Sequence, residues 1–132
     1  MPYLNLNLPM APSPDVSAKA AEILTQLTAD LLGKKPELTA VAITATPRDN
    51  WYVGARPLPA SQSSFYLDIK VTEGTNTKNE KARYVEAVFD AMTALLGDLA
   101  PASYVVINEV HADAWGYSGQ TQEFRYIGGR SL

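Results

Sequence analysis

The 132-residue chain contains no cysteine and a single histidine, His111. Disulfides, thiol nucleophiles and cysteine-ligated metals are therefore excluded, and a multi-histidine metal site cannot form. Charge is also sparse: charged residues make up 19% of the chain, with a net charge of -3. Nucleic-acid binding calls for a basic face, so that class of partner is not expected. No apolar run approaches the length of a membrane span, and no charged-then-apolar leader is present. The expectation is a cytoplasmic protein without a membrane partner. Phosphate-cradling glycine loops of the Gly-x-x-x-x-Gly-Lys and Gly-x-Gly-x-x-Gly types are missing too. No cofactor or metal is expected.

What is present is a globular composition, 46% apolar, on a chain long enough for one domain and too short for two. The pattern along it repeats. Leu4, Leu6 and Leu8 alternate over Tyr3–Leu8, which is strand period. Ser13 is placed to cap a helix that Pro14 begins and Gly33 ends, with Ala20, Ile23, Leu24, Leu27 and Leu31 on its apolar face. A second strand follows over Thr39–Thr46, then Trp51-Tyr52-Val53-Gly54. The order then restarts with a strand at Phe65–Thr72. Thr77 and Glu80 have capping-box spacing, and Val85, Val88, Phe89, Met92, Leu95 and Leu96 form the next helix face. Gly97 ends that helix, Tyr104–Val110 reads as a strand, and Trp115-Gly116-Tyr117-Ser118-Gly119 follows.

Gly33 and Gly97 are 64 residues apart, as are Trp51 and Trp115. Two strand–helix–strand repeats, about 2–60 and 64–120, predict an α/β two-layer sandwich. Its sheet has four strands, mainly parallel or mixed, with both helices on one face. Leu4, Leu6, Val41 and Ile43 and their counterparts then exceed what the helices cover, which predicts an oligomer. Gly128-Gly129 reads as a flexible tail.

The candidates for chemistry are few. His111 has no positioned partner in the sequence, and Glu73, Glu109 and Asp113 are the carboxylates near strand ends. Pro2 stands directly before the first strand. Removal of Met1 would leave it a terminal secondary amine. An N-terminal amine titrates at about 7.7–8.0, and an apolar site lowers that further, which makes a general base without histidine.

Pro2 before a strand, the doubled strand–helix–strand unit and the 64-residue period together resemble the tautomerase superfamily. Thr72-Glu73-Gly74-Thr75, Asn108-Glu109-Val110 and Trp115-Gly116-Tyr117-Ser118-Gly119 resemble a 4-oxalocrotonate tautomerase unit. Leu6-Asn7-Leu8-Pro9, Gly33-Lys34-Lys35-Pro36 and Ala40-Val41-Ala42-Ile43 resemble the macrophage migration inhibitory factor branch. The ending Asp113–Gly119 with Glu123-Phe124 is similar to malonate semialdehyde decarboxylase. The resemblance implies Pro2 as catalytic base, Lys34 on the substrate carboxylate, Asn108 near a subunit boundary, and Trp115 as an apolar wall, with Trp51 its copy. It also implies a homotrimer. Three departures stand out: Val106 replaces a tyrosine, Thr75 an arginine, and Ala42 or Tyr104 another arginine. Arg48 is the candidate to replace the two arginines. Ser64-Phe65 stands where the second unit would have its proline, leaving one candidate base per subunit.

The function implied is a keto–enol tautomerase of a small 2-keto acid or its enol. Lys34 or Arg48 would hold the carboxylate, Trp51 and Trp115 would exclude water, and Asn108 or a backbone amide at Thr72 or Glu73 would steady the oxyanion. Two alternatives remain open. A protonated Pro2 would act as acid in a hydratase, dehalogenase or decarboxylase. A chain that retains Met1 would be a non-enzymatic trimeric binding protein of the same fold.

Overall fold

The alternating leucines of Tyr3–Leu8 form strand β1 in the computed structural model, which describes residues 1–129. Helix α1 spans Pro14–Leu32. The Ser13 hydroxyl accepts from the Val16 amide at 3.2 Å, and Gly33 closes the helix at φ 68, a left-handed conformation that suits glycine. Strand β2 is Ala40–Ala45, one residue shorter at each end than predicted. A small hairpin follows, β3 (Tyr52–Val53) and β4 (Arg56–Pro57). The second repeat supplies β5 (Tyr66–Thr72), α2 (Lys78–Leu96) and β6 (Tyr104–Val110). The Thr77–Glu80 capping box is formed in full at the start of α2. A second hairpin, β7 (Gly116–Tyr117) and β8 (Gln120–Thr121), leads into helix α3 (Gln122–Gly128).

The four long strands form one sheet in the order β2-β1-β5-β6. Each repeat contributes a parallel pair, β1 with β2 and β5 with β6, and the two halves meet at an antiparallel β1–β5 seam. The sheet is therefore mixed. The repeat persists in the hairpins: Gly54 and Ala55 in the first, Ser118 and Gly119 in the second, all have positive φ. Two-residue loops with both central residues at positive φ match the twist of the flanking strands.

Contrary to expectation, the apolar strand residues do not exceed what the two helices cover. Leu4, Leu6, Val41 and Ile43 all belong to the core beneath the helices, together with Leu67, Ile69 and Val71. One face of a pleated sheet carries every second residue, and two adjacent helices suffice to cover it. The open face instead carries the alternate residues, among them Tyr3, Asn5, Tyr66, Lys70, Tyr104 and Asn108.

Two helix assignments also change. Val85, placed on the apolar face of α2, is exposed, whereas Tyr84 is fully buried. The Tyr84 hydroxyl shares a 2.9 Å hydrogen bond with Thr28 Oγ1 across the α1–α2 contact, and Thr28 Oγ1 also lies 2.7 Å from the Leu24 carbonyl. A buried hydroxyl with a partner is tolerated where a bare one is not. Burial pushes the Tyr84 phenol up to about 12. Gly128, read as tail, closes α3 instead, and the Gly129 amide donates to the Arg125 carbonyl at 2.9 Å.

Tyr84→Phe is expected to cost about 1 kcal/mol in urea unfolding, because Thr28 keeps its Leu24 partner and only one net hydrogen bond is lost. Leu6→Ala is expected to cost about 3 kcal/mol, since it opens a cavity at the centre of the core.

Candidate functional site

Antiparallel pairing at the seam brings the start of β1 beside the end of β5. A pocket of about 680 Å³ opens there. Its walls come from Met1, the Gly33-Lys34-Lys35 turn after α1, the Thr72–Thr75 turn after β5, and Gln122, Glu123 and Arg125 of α3. Pro2 is buried directly behind Met1, and its carbonyl accepts from the Ala40 amide at 3.3 Å.

The electrostatics of this pocket lean positive. Lys34 Nζ donates to Thr75 Oγ1 at 2.8 Å, and Thr75 Oγ1 donates to the Thr72 carbonyl at 2.6 Å. Burial lowers the Lys34 ammonium from its ordinary value, and Glu80 opposes that shift. The α-amino group on Met1 is lowered as well, by burial first and then by Lys34 and Lys35. An amine in this corner is thus biased toward its neutral form. The Met1 thioether accepts from Gln122 Nε2 at 3.4 Å, so the methionine side chain lies against α3.

The other predicted residues are distributed as follows. Thr72 and Glu73 line this pocket with Lys34. Glu73 Oε2 meets His111 Nδ1 at 2.6 Å at the exposed rim, so His111 does have a carboxylate partner. Trp115 stands one layer behind: its Nε1 donates to Thr72 Oγ1 at 3.1 Å. Arg48 and Trp51 lie at the other end of the strands. Arg48 Nη1 donates to the Pro59 and Gln62 carbonyls, at 3.0 and 2.7 Å, which ties down the loop before β5. Trp51 lines a smaller pocket of about 300 Å³ with Phe65, Tyr66 and Tyr104 at the start of β5. Six strand residues at about 3.3 Å each separate the two ends by roughly 20 Å. Asn108 belongs to neither pocket. It sits on the open sheet face, where its Nδ2 is buried without a partner.

Sequence reasoning missed the α3 wall, which contributes Gln122, Glu123, Arg125 and Tyr126. A signal existed. Thr121 caps the helix by accepting from the Phe124 amide at 3.0 Å, and Glu123 lies in the first turn. The Gln122 and Glu123 amides also donate to the Trp115 and Ala112 carbonyls, at 3.0 and 2.9 Å, which folds α3 back over the pocket. Among the described residues, no group of three or more histidine or acidic side chains is placed to hold a metal ion. No described helix is long and apolar enough to cross a membrane.

Residues 66–125 match the family model described as Tautomerase enzyme. A wild-type fused 4-OT described as an asymmetric trimer superposes with a TM-score of 0.80 at 23% identity, over 96% of this chain and 98% of that one. A macrophage migration inhibitory factor-like protein from Entamoeba histolytica gives 0.75 at 17% identity, over 91% and 97%. A member of the cis-3-chloroacrylic acid dehalogenase family gives 0.79 at 15% identity, over 98% and 92%. These likenesses concern the fold. Comparison with curated proteins finds no match.

Gly116 holds the hairpin that carries α3, because a Cβ there would run into the Gln120 carbonyl. Gly116→Ala is expected to open this hairpin and change the near-ultraviolet signal of Trp115 in a Trp51→Phe background. Its melting temperature should fall far less than that of Leu6→Ala, since neither hairpin strand belongs to the core.

Proposed function

Because the chain belongs to the tautomerase superfamily, we propose that it is a keto–enol tautomerase of a small 2-keto acid, with Pro2 as general base once Met1 is removed. One observation carries this reading: Pro2 is buried behind the one residue that separates it from a cationic pocket. Without Met1, the proline nitrogen becomes the terminal amine in the corner where burial, Lys34 and Lys35 already favour a neutral amine. An amine neutral near pH 7 takes protons without a histidine.

The step balances within the substrate. The neutral Pro2 nitrogen takes the enol hydroxyl proton, the oxygen's electron pair closes the C2 carbonyl, and the carbon–carbon double bond takes the proton from Pro2 at C3. The positive wall holds the carboxylate. Backbone amides of the Thr72–Thr75 turn, which line the same pocket, are available to the developing oxyanion. Trp115 supports this wall from behind through Thr72 rather than by facing the substrate. Arg48, Trp51 and Asn108 lie outside this pocket within one subunit.

A second reading uses the same pocket with Pro2 protonated. Glu73 and Glu123 line it, and either would place a water for hydration, dehalogenation or decarboxylation. The lowered terminal amine favours the base over the acid. Assembly is the remaining element. The open sheet face and the exposed Phe124 and Ile127 of α3 support a homotrimer, which sedimentation would report as three times the 14.3 kDa chain mass.

Intact mass should show loss of Met1, and Pro2→Ala should abolish ketonisation of enol-phenylpyruvate. The sign of the pH dependence follows from the base being active when neutral. kcat/KM should rise with pH, with its midpoint below the ordinary N-terminal amine range of about 7.7–8.0. Lys34→Met should move that midpoint upward, because a neighbouring positive charge is removed. A limb falling with pH would favour the acid reading. Retained Met1 in the native host would leave a binding protein.

A further inference from the structure

We propose that Arg125, on α3, is the residue that clamps the carboxylate of the substrate, with Lys34 in a supporting position; this rests on the tautomerase reading. Three cations line the pocket: Lys34, Lys35 and Arg125. One of the three Lys34 Nζ donors is engaged by Thr75 Oγ1 at 2.8 Å, and a lysine offers a carboxylate a point charge rather than a planar fork. Arg125 is held but not used up. Its guanidinium carbon lies 3.9 Å from the centre of the Tyr117 ring, and Nη2 donates to the Tyr117 carbonyl at 3.0 Å. Nε is buried and has no hydrogen-bond partner. Among the described residues Arg125 forms no ion pair, although Glu123 stands two positions away on the same helix. Residues two apart on a helix do not face each other.

A buried donor without a partner costs free energy, and a fixed guanidinium with donors to spare fits a carboxylate through paired hydrogen bonds. Arginine also keeps its charge where burial lowers a lysine. Stacking on Tyr117 fixes the plane in advance, so little side-chain freedom is lost on binding. The site is local to the base. Gln122, one helix residue from Glu123, reaches Met1, and Pro2 lies directly behind. A carboxylate held by α3 would therefore place the adjacent C2–C3 unit of a 2-keto acid toward the proline nitrogen.

The test has two parts that can fail separately. Steady-state ketonisation of enol-phenylpyruvate is measured for wild type, Arg125→Gln and Arg125→Lys. Equilibrium binding of phenylpyruvate is titrated into Pro2→Ala with and without Arg125→Gln. The proposal expects Arg125→Gln to raise KM by ~10-fold or more with kcat little changed, and to weaken binding to the Pro2→Ala protein by a similar factor. Arg125→Lys should fall between, because charge is kept and the paired geometry is lost. Unchanged KM and binding would overturn the clamp. A loss confined to kcat and melting temperature, with KM unchanged, would also overturn it and assign Arg125 to holding the hairpin. If wild type shows no ketonisation but Arg125→Gln still abolishes binding, the tautomerase reading falls and the carboxylate clamp stands.

Discussion

The antiparallel seam between β1 and β5 is the constraint on which the rest of the molecule depends. Both strands are central in the sheet, and Leu4, Leu6, Leu8, Leu67, Ile69 and Val71 are buried to within about 1% of their surface. Its register pairs Leu6 with Leu67 and Tyr3 with Lys70. A slip by one residue would turn the whole leucine set onto the open face, so burial enforces the register strongly. The same register sets the start of β1 against the Thr72–Thr75 turn, and so forms one wall of the pocket at Met1. A parallel seam would have put these groups at opposite ends of the sheet.

Duplication gives the chain two such corners, and their sequences differ. The start of β5 is the copy of the start of β1, and Trp51, Tyr52 and Tyr104 surround it. Where the first repeat has Gly33-Lys34-Lys35, the second has Gly97-Asp98-Leu99, with Leu99 buried. The Ser63 amide donates to the Asp98 carbonyl at 2.8 Å, and Ser64 Oγ donates to the Ala102 carbonyl at 3.0 Å. Chain therefore runs continuously through the place that Met1 and Pro2 hold in the first repeat. A terminal amine cannot arise inside a chain, and no lysine stands ready beside one. Trp51 lines this second corner with Phe65, Tyr66 and Tyr104.

Elements set by short-range rules were legible in the sequence. Ser13, Pro14, Gly33 and the Thr77–Glu80 box mark helix ends through bonds within four residues, and all four are found where expected. Strand alternation identified two faces of the sheet but not which one the helices cover, because hydropathy carries no handedness. The Tyr84–Thr28 bond joins residues 56 apart, so nothing local could move Tyr84 inward at the expense of Val85. Helix α3 escaped for another reason. It is seven residues long, ends in glycine and leaves Phe124, Tyr126 and Ile127 exposed, so no apolar face announces it. The pocket wall it supplies was missed with it, while Lys34, Thr72 and Glu73 came together as expected.

Two amines share one desolvated corner, and their competition decides which carries charge. Burial lowers both. What distinguishes them is company. Lys34 has Glu80 to favour its charged form and Thr75 Oγ1 to accept a proton-bearing bond. The charges that shift the terminal amine are those of Lys34 and Lys35, and both oppose its protonation. Glu80 and Thr75 therefore favour the charged form of Lys34, while both lysines disfavour charge on the terminal amine. The Thr75–Glu80 side of the pocket thus bears on the terminal amine without touching it: what favours charge on Lys34 disfavours charge beside it.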